Sequence, residues 1–139
     1  MQIKRTATAD WTGTGKEGAG KLSTQSGVLC NTEYSYPTRF EDKAGTNPEE
    51  LIGAAHAGCF SMKLAFIMTA GGFTPDHINT TATVILENGN IPVIMLHTKV
   101  KAHGLTAEQL HEFTSNAKEN CPVSKLLNAE IMLNAELMD

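Results

Sequence analysis

Two cysteines stand where a thiol could do chemistry: Cys59 lies within the apolar run LIGAAHAGCFSMKLAF, and Cys121 lies directly before Pro122. A helix predicted to begin at Pro122 would direct backbone N–H groups at the Cys121 sulfur, which favours its thiolate. Two separated thiols of this kind suit a pair that forms and breaks a disulfide. The spacing does not show that they meet, and a cysteine in an apolar run is usually an inert core residue.

A reactive buried thiol needs a nearby cation, because burial in apolar surroundings raises a thiol pKa above its usual value of about 8.5. The chain has two arginines, Arg5 and Arg39. We expect Arg39, in the segment YSYPTRF, to lie at the end of a strand and to supply that cation. Glu49 would fix the guanidinium by two hydrogen bonds. The alternatives are that Arg39 is an ordinary solvated charge at the end of a strand and that Glu49 only adds negative charge to the start of a helix.

His56 precedes Cys59 by three residues and would share its helix face. It is a candidate base for a hydrolase-type cysteine, or with Cys59 half of a metal site. A hydrogen-bonded core histidine is the commoner outcome. The sequence has no CxxC or HxxxH motif to complete a zinc site, so we predict no metal. Cys30, in the turn VLCN, is interpreted as an ordinary thiol.

The elements that must position these residues follow the order βββ-α-ββ-αα-β. The first forty residues predict an antiparallel meander of short strands separated by glycine-containing turns. A long helix then begins with Asn47 as its N-cap and Pro48 at its first position, and it ends at Gly71-Gly72. Its residues are apolar on nearly every face, which one small chain covers with difficulty. This pattern suggests a partner chain.

The second half of the sequence predicts a hairpin, two helices and a closing strand. TTATVILE and IPVIMLHTKVKA flank an Asn-Gly turn. Thr106 and Gln109 form a capping box that opens an amphipathic helix, and Pro122 restarts a short helix. AEIMLNAELMD alternates as a strand. Together these elements predict a single α+β domain over residues 1–139, with antiparallel sheets packed around the long central helix.

Composition excludes several classes of protein. The 139 residues carry a net charge of −4 with their lysines and arginines scattered, which argues against nucleic acid and anionic membrane surfaces. The N-terminus has no apolar segment of the kind found in signal peptides. Residues 51–70 hold one full charge, Lys63, but are rich in alanine and glycine, so we expect a core helix rather than a membrane span. Three widely spaced cysteines indicate a reducing cytoplasm.

Two segments, GTNPEELIGAAHAGCFSMKLA and CPVSKLLNAEI, resemble the OsmC branch of the OsmC/Ohr peroxidases, which reduce organic hydroperoxides. The resemblance extends over essentially the whole chain. It implies that Cys59 is the peroxidatic thiol, that Cys121 resolves it, and that Arg39 and Glu49 match the family's arginine and glutamate. Arg5 is the weaker candidate, in the placement that the Ohr branch uses.

The resemblance also implies an intertwined homodimer with two sites at the subunit interface. It implies no bound cofactor, and a dithiol reductant such as a lipoylated protein. In a regular helix, Glu49 and Cys59 would lie about 15 Å apart along the axis. We therefore expect Glu49 to serve the Cys59 site of the other subunit.

An apolar wall near Cys59 would favour alkyl or aryl hydroperoxides over hydrogen peroxide. The residues that are candidates for this wall, and equally for plain core, are Phe60, Met62, Phe66 and Ile67. Two other functions compete with a thiol peroxidase. One is a cysteine hydrolase that uses His56, and the other is a non-catalytic stress-related protein that binds a hydrophobic ligand.

Overall fold

The computed structural model describes every residue from Met1 to Asp139. The chain divides into two compact units, Met1–Leu51 and Ile52–Asp139, which we call the N-terminal and C-terminal units. The prediction that residues 1–139 form one domain stays a prediction.

The N-terminal unit contains the predicted antiparallel meander. Its three strands are β1 (Ala7–Thr12), β2 (Ala19–Thr24) and β3 (Thr32–Tyr34), and they pair in the order β1-β2-β3. The rings of Trp11 and Tyr34 lie 5.4 Å apart on either side of Gly20. A Cβ atom at Gly20 would come within 2.5 Å of both side chains, so this strand position requires glycine.

The segment predicted to end the third strand is instead a short helix, α1 (Tyr36–Phe40). The backbone N–H of Ser35 donates to Thr38 Oγ1 at 2.9 Å, and that hydroxyl donates back to the Ser35 carbonyl at 3.0 Å. Pro37 lies in the first turn, where its fixed φ suits a helix. The prediction that Arg39 ends a strand is therefore wrong, because these local contacts close a helical turn around it.

The long helix α2 (Pro48–Ala70) begins and ends as predicted. Asn47 Oδ1 accepts a hydrogen bond from the backbone N–H of Glu50 at 2.8 Å, which satisfies one of the free donors of the first turn. Gly72, with a φ of 90°, terminates the helix. The helix is long and apolar enough to cross a membrane by composition alone.

Within the C-terminal unit, α2 buries one face and exposes the other. The buried positions recur every three or four residues and are Gly53, His56, Phe60, Leu64 and Met68. On the opposite face, Met62 and Phe66 are 65% and 68% exposed. The chain by itself therefore leaves exposed one face of a helix that the sequence predicts to be covered on most sides.

The sheet of the C-terminal unit is mixed rather than wholly antiparallel. Strands β4 (Pro75–Glu87) and β5 (Asn90–Ala102) form the predicted hairpin, whose turn residues Asn88 and Gly89 both have positive φ. Strand β6 (Glu130–Leu137) pairs with β5 in parallel, which corrects the prediction of an antiparallel sheet. The two helices between β5 and β6 return the chain to the end of the sheet at which β5 began, as a crossover connection requires.

These two helices are α3 (Ala107–Asn120) and α4 (Pro122–Leu126). Thr106 caps α3 in the predicted capping box with Gln109. The core of the unit combines side chains from α2, the inner face of β5 and α3. Its buried apolar residues are Phe60, Leu64, Met68, Ile94, Leu96, Val100, Leu105, Leu110, Ala117 and Cys121. The α+β class predicted from the sequence is confirmed.

Candidate active site

The structure brings Cys59 and Cys121 together, although 62 positions separate them in the sequence. Cys59 lies in the middle of α2, and Cys121 is both the C-cap of α3 and the N-cap of α4. The Cys121 thiol donates to the Cys59 sulfur, with 2.6 Å between the two Sγ atoms. Both are free thiols, Cys121 buried and Cys59 partly exposed. A disulfide bond of about 2.05 Å needs little movement from this arrangement.

The environment of Cys59 acts on its pKa in both directions. Burial raises the pKa of the Cys59 thiol above its ordinary value, and the contact with Cys121 adds to that effect. The backbone N–H of Val123, at the start of α4, and the charge of Lys63 lower it. The balance in the single chain favours the thiol over the thiolate. A peroxidatic role for Cys59 therefore requires a further stabilising charge.

Arg39 and Glu49 form the predicted bidentate pair, and both belong to the N-terminal unit. Arg39 Nε donates to both carboxylate oxygens, at 2.9 and 3.2 Å, and Nη2 donates to Oε1 at 2.7 Å. The Glu49 side chain is 11% exposed and that of Arg39 38%. These bonds use one edge of the guanidinium and leave Nη1 free for another group. Glu49 thus fixes the direction of a partly exposed cation.

An aromatic cavity beside Arg39 is a feature that the sequence did not predict as a site. It has a volume of about 240 Å³ and lies within the N-terminal unit. The short helix α1 creates it, since α1 turns Tyr36 and Phe40 toward the same region as the β1–β3 sheet. Its lining residues are Trp11, Gly15, Tyr34, Ser35, Tyr36, Arg39 and Phe40. The aromatic content of YSYPTRF was the available signal.

His56 does not serve Cys59 as a hydrogen-bonded base. It is fully buried, and its Nε2 lies 2.7 Å from Ser124 Oγ on α4. Burial lowers the pKa of His56, which keeps the imidazole neutral. Its Nδ1 is buried without a hydrogen-bond partner. The structure brings together no group of three or more His, Cys, Asp or Glu side chains that could hold a metal ion.

The four residues predicted to wall a substrate pocket fall into different environments. Phe60 has no exposed surface and packs in the core, which is the alternative that the sequence also allowed for it. Ile67 is partly buried against the same core. Met62 and Phe66 remain exposed on α2 and are available to a ligand or a partner.

Cys30 and Arg5, the two remaining candidates from the sequence, belong neither to the cysteine pair nor to the Arg39–Glu49 pair. Cys30 is an exposed free thiol in the turn between β2 and β3. Arg5 is exposed, and its guanidinium donates only to the carbonyl of the neighbouring Lys4. Nothing fixes the direction of Arg5 as Glu49 fixes that of Arg39.

The fold and the sulfur pair define a dithiol protein of the α+β class, with one thiol on a long core helix and the second at the start of a short helix. A family model described as OsmC-like protein matches residues 40–136. The chain belongs to this family.

Individual relatives agree with this assignment. The chain is 46% identical over 141 residues to the peroxiredoxin OsmC of Escherichia coli (strain K12), covering 99% of each protein. It is 27% identical over 124 residues to the organic hydroperoxide resistance protein OhrB of Bacillus subtilis (strain 168), covering 86% of this chain and 89% of OhrB. A solved OsmC-like structure from Vibrio cholerae shares the fold at 19% identity, with a TM-score of 0.77, and covers 96% of this chain and 99% of that one.

Proposed function

We propose that this protein is a thiol peroxidase that reduces organic hydroperoxides to alcohols. The observation that carries the proposal is the 2.6 Å contact between Cys59 and Cys121. Two thiols in contact can store the two electrons that one hydroperoxide removes. The relationship to a protein named peroxiredoxin OsmC and to one named for organic hydroperoxide resistance supports the same chemistry.

The proposed reaction has three steps. The Cys59 thiolate attacks the distal peroxide oxygen, the O–O bond breaks, and the departing alkoxide takes a proton to leave as an alcohol. Cys59 is now a sulfenic acid. The Cys121 thiol displaces its hydroxyl group, so that a disulfide forms and one water is released. An external dithiol then reduces the disulfide through a mixed disulfide and becomes oxidised itself. Cys59 attacks first because it is the more exposed thiol.

Arg39 is the proposed source of the charge that Cys59 lacks in the single chain. A guanidinium would stabilise both the thiolate and the alkoxide that develops as the peroxide bond breaks. Its partly exposed position and its free Nη1 support this role, as does its fixed orientation on Glu49. The aromatic cavity beside it would accept the apolar part of an alkyl or aryl hydroperoxide.

The proposed assembly is a homodimer with its active sites at the subunit interface. Helix α2 is unbroken from Pro48 to Ala70, so Glu49 and Cys59 lie about 15 Å apart along its axis. A glutamate held at that distance from its own chain's thiol would direct its arginine to the thiol of the partner. The exposed apolar side chains of Met62 and Phe66 suit a helix that a second subunit covers.

The proposed enzyme uses no bound cofactor, because the sulfur atoms themselves carry the electrons. A dithiol is the suitable reductant, since it releases the mixed disulfide by intramolecular attack. A lipoylated protein would provide such a group. The three widely spaced cysteines fit a reducing cytoplasm as the proposed place of action.

The test is mass spectrometry of the alkylated protein after one equivalent of cumene hydroperoxide. We expect a Cys59–Cys121 crosslink together with stoichiometric cumyl alcohol. A protein that leaves the hydroperoxide unconsumed would be a ligand-binding module, and one that forms a thioester with an activated ester would be a hydrolase. Either result without the crosslink would contradict the proposal. The hydrogen bond of His56 to Ser124 gives the hydrolase no structural support.

A further inference from the structure

Helices α2 and α4 are joined by two contacts rather than one. His56 and Cys59 are three residues apart on α2, and Cys121 and Ser124 are three residues apart at the start of α4. Residues at this spacing lie on the same helix face. One contact is the 2.6 Å approach of the two sulfurs, and the other is the 2.7 Å hydrogen bond between His56 Nε2 and Ser124 Oγ.

Only one of these two contacts is unaffected when Cys59 is oxidised to the sulfenic acid. When Cys59 becomes a sulfenic acid, the added oxygen changes its contacts with the Cys121 thiol and with the backbone N–H of Val123. The His56–Ser124 hydrogen bond involves no reacting atom and is unaffected by that oxidation. It is therefore the contact that can hold α4 against α2 while the sulfenic acid waits for Cys121.

Helix α4 is anchored at its start by Cys121, which is buried in the core and whose backbone N–H donates to the Ala117 carbonyl of α3 at 2.9 Å, but the rest of the helix is held weakly. It is five residues long, contains no buried residue, and has extended backbone at both caps. A helix of this length has no stability of its own. Val123 and Leu127 are only partly buried against the core. The hydrogen bond between Ser124 and the fully buried His56 is the one side-chain hydrogen bond that α4 makes.

The state of His56 suits a permanent positional contact. The ring is fully buried and neutral, since burial lowers the pKa of His56. Its Nδ1 is buried without a hydrogen-bond partner. With the proton on Nε2, Nδ1 is an unpaired acceptor; with the proton on Nδ1, the core would contain an unpaired N–H group, which is the costlier of the two. In the Nε2 tautomer His56 donates to Ser124. Nothing in the proposed reaction otherwise uses the hydrogen bond between His56 and Ser124.

We propose that His56 and Ser124 are positioning residues for the resolving step: their hydrogen bond keeps Cys121 at Cys59 after Cys59 has been oxidised. The inference rests on the proposed peroxidase function. It assigns the pair an effect on disulfide closure and little effect on the first oxidation. Before oxidation, the sulfur contact and the Val123 N–H also hold α4 in place.

The test separates the two steps in single-turnover experiments with cumene hydroperoxide. Sulfenic acid is trapped with dimedone, and disulfide is measured after rapid alkylation. We expect Ser124→Ala to oxidise Cys59 within about twofold of the wild-type rate and to close the disulfide roughly fivefold more slowly, the effect of one lost hydrogen bond. Sulfinic acid should accumulate in the variant under excess hydroperoxide. Ser124→Thr, which keeps the hydroxyl, should restore closure.

Ser61→Ala is the matched control. Ser61 lies on the same helix and donates a hydrogen bond of the same length, 2.7 Å, to Thr80 Oγ1 on β4 instead of to α4. This variant should close its disulfide at the wild-type rate. Thermal melts of all variants identify any that are unfolded at the assay temperature. His56→Leu, which removes the other partner, replaces Ser124→Ala in that event.

Two results would overturn the inference alone while the wild type still forms sulfenic acid and disulfide. One is closure at the wild-type rate in folded Ser124→Ala or His56→Leu. The other is equal slowing by Ser124→Ala and Ser61→Ala, which would reduce the effect to general packing. A wild-type protein in which Cys59 takes up no oxygen would instead overturn the proposed function, and the positioning role with it.

Discussion

Replacing Glu49 by glutamine tests whether the activity depends on how Arg39 is aimed. The substitution keeps the size of the side chain and one acceptor oxygen, and it removes the charge that holds Nε and Nη2 at 2.7 to 3.2 Å. Arg39 itself stays in the protein. Any loss of activity then reports the orientation of the guanidinium rather than its presence.

The size of the effect on stability follows from the geometry of the pair. Opposite unit charges about 4 Å apart attract by about 4 kcal/mol at an effective dielectric constant near 20. Since the Arg39 side chain is 38% exposed, solvent offsets much of that attraction. We expect a loss of about 1–2 kcal/mol in the free energy of unfolding, which lowers Tm by about 3–8 °C.

The effect on catalysis should exceed the effect on stability. A catalytic group displaced by about 1 Å can cost roughly a hundredfold in rate, so we expect kcat/KM for cumene hydroperoxide to fall roughly 10- to 100-fold. The assay is a coupled dithiol-dependent peroxidase measurement at a temperature well below both values of Tm. Thermal melts by circular dichroism provide the stability comparison.

Glu50→Gln is the matched control for this experiment. Glu50 lies in the same first turn of α2 and also loses one negative charge, but its carboxylate is exposed and accepts only from Thr46 Oγ1 at 2.8 Å. Both variants share the small change in helix-terminus electrostatics, about 0.3–1 kcal/mol. If the two variants retained equal activity, Glu49 would not be orienting a catalytic arginine, and the assignment would be refuted.

Three further predictions concern the thiols and the cation. Cys59→Ser should abolish turnover and leave no sulfenic acid for dimedone to trap. Residual peroxidase activity would show that another cysteine is the reactive thiol. Cys121→Ser should reduce one equivalent of hydroperoxide and then stall or overoxidise, as followed by mass spectrometry; sustained turnover with a dithiol would show that Cys121 is dispensable. Arg39→Ala should raise the pKa of Cys59, so that its reaction with iodoacetamide is slower at pH 7 and approaches the wild-type rate only at higher pH. Coincident pH profiles would show that Arg39 does not stabilise the thiolate.

Local signals account for the parts of the fold that the sequence predicted well. The ends of α2 are set by Asn47, Pro48 and Gly72, each of which acts within one turn of itself. The hairpin between β4 and β5 follows from the positive φ of Asn88 and Gly89. In each case the cause lies within a few residues of its effect.

The two incorrect structural predictions have different causes. Helix α1 was not predicted because YSYPTRF has the aromatic composition of a strand, while the capping contacts between Ser35 and Thr38 depend on one particular backbone turn. The parallel pairing of β6 with β5 was not predicted because an alternating pattern indicates a strand but not its direction. The direction follows from how α3 and α4 return the chain across the sheet.

By itself the sequence determined the types of the reactive groups: two thiols, an arginine and a glutamate, at spacings that match the OsmC family. It also determined that the long helix is apolar on more faces than one chain covers. Only the tertiary structure decided that Cys59 and Cys121 are in contact and that His56 binds Ser124. It also decided that Phe60 belongs to the core. The physical reason is that local patterns fix helices and turns within a few residues, whereas contacts across 62 or 68 positions depend on how those elements pack.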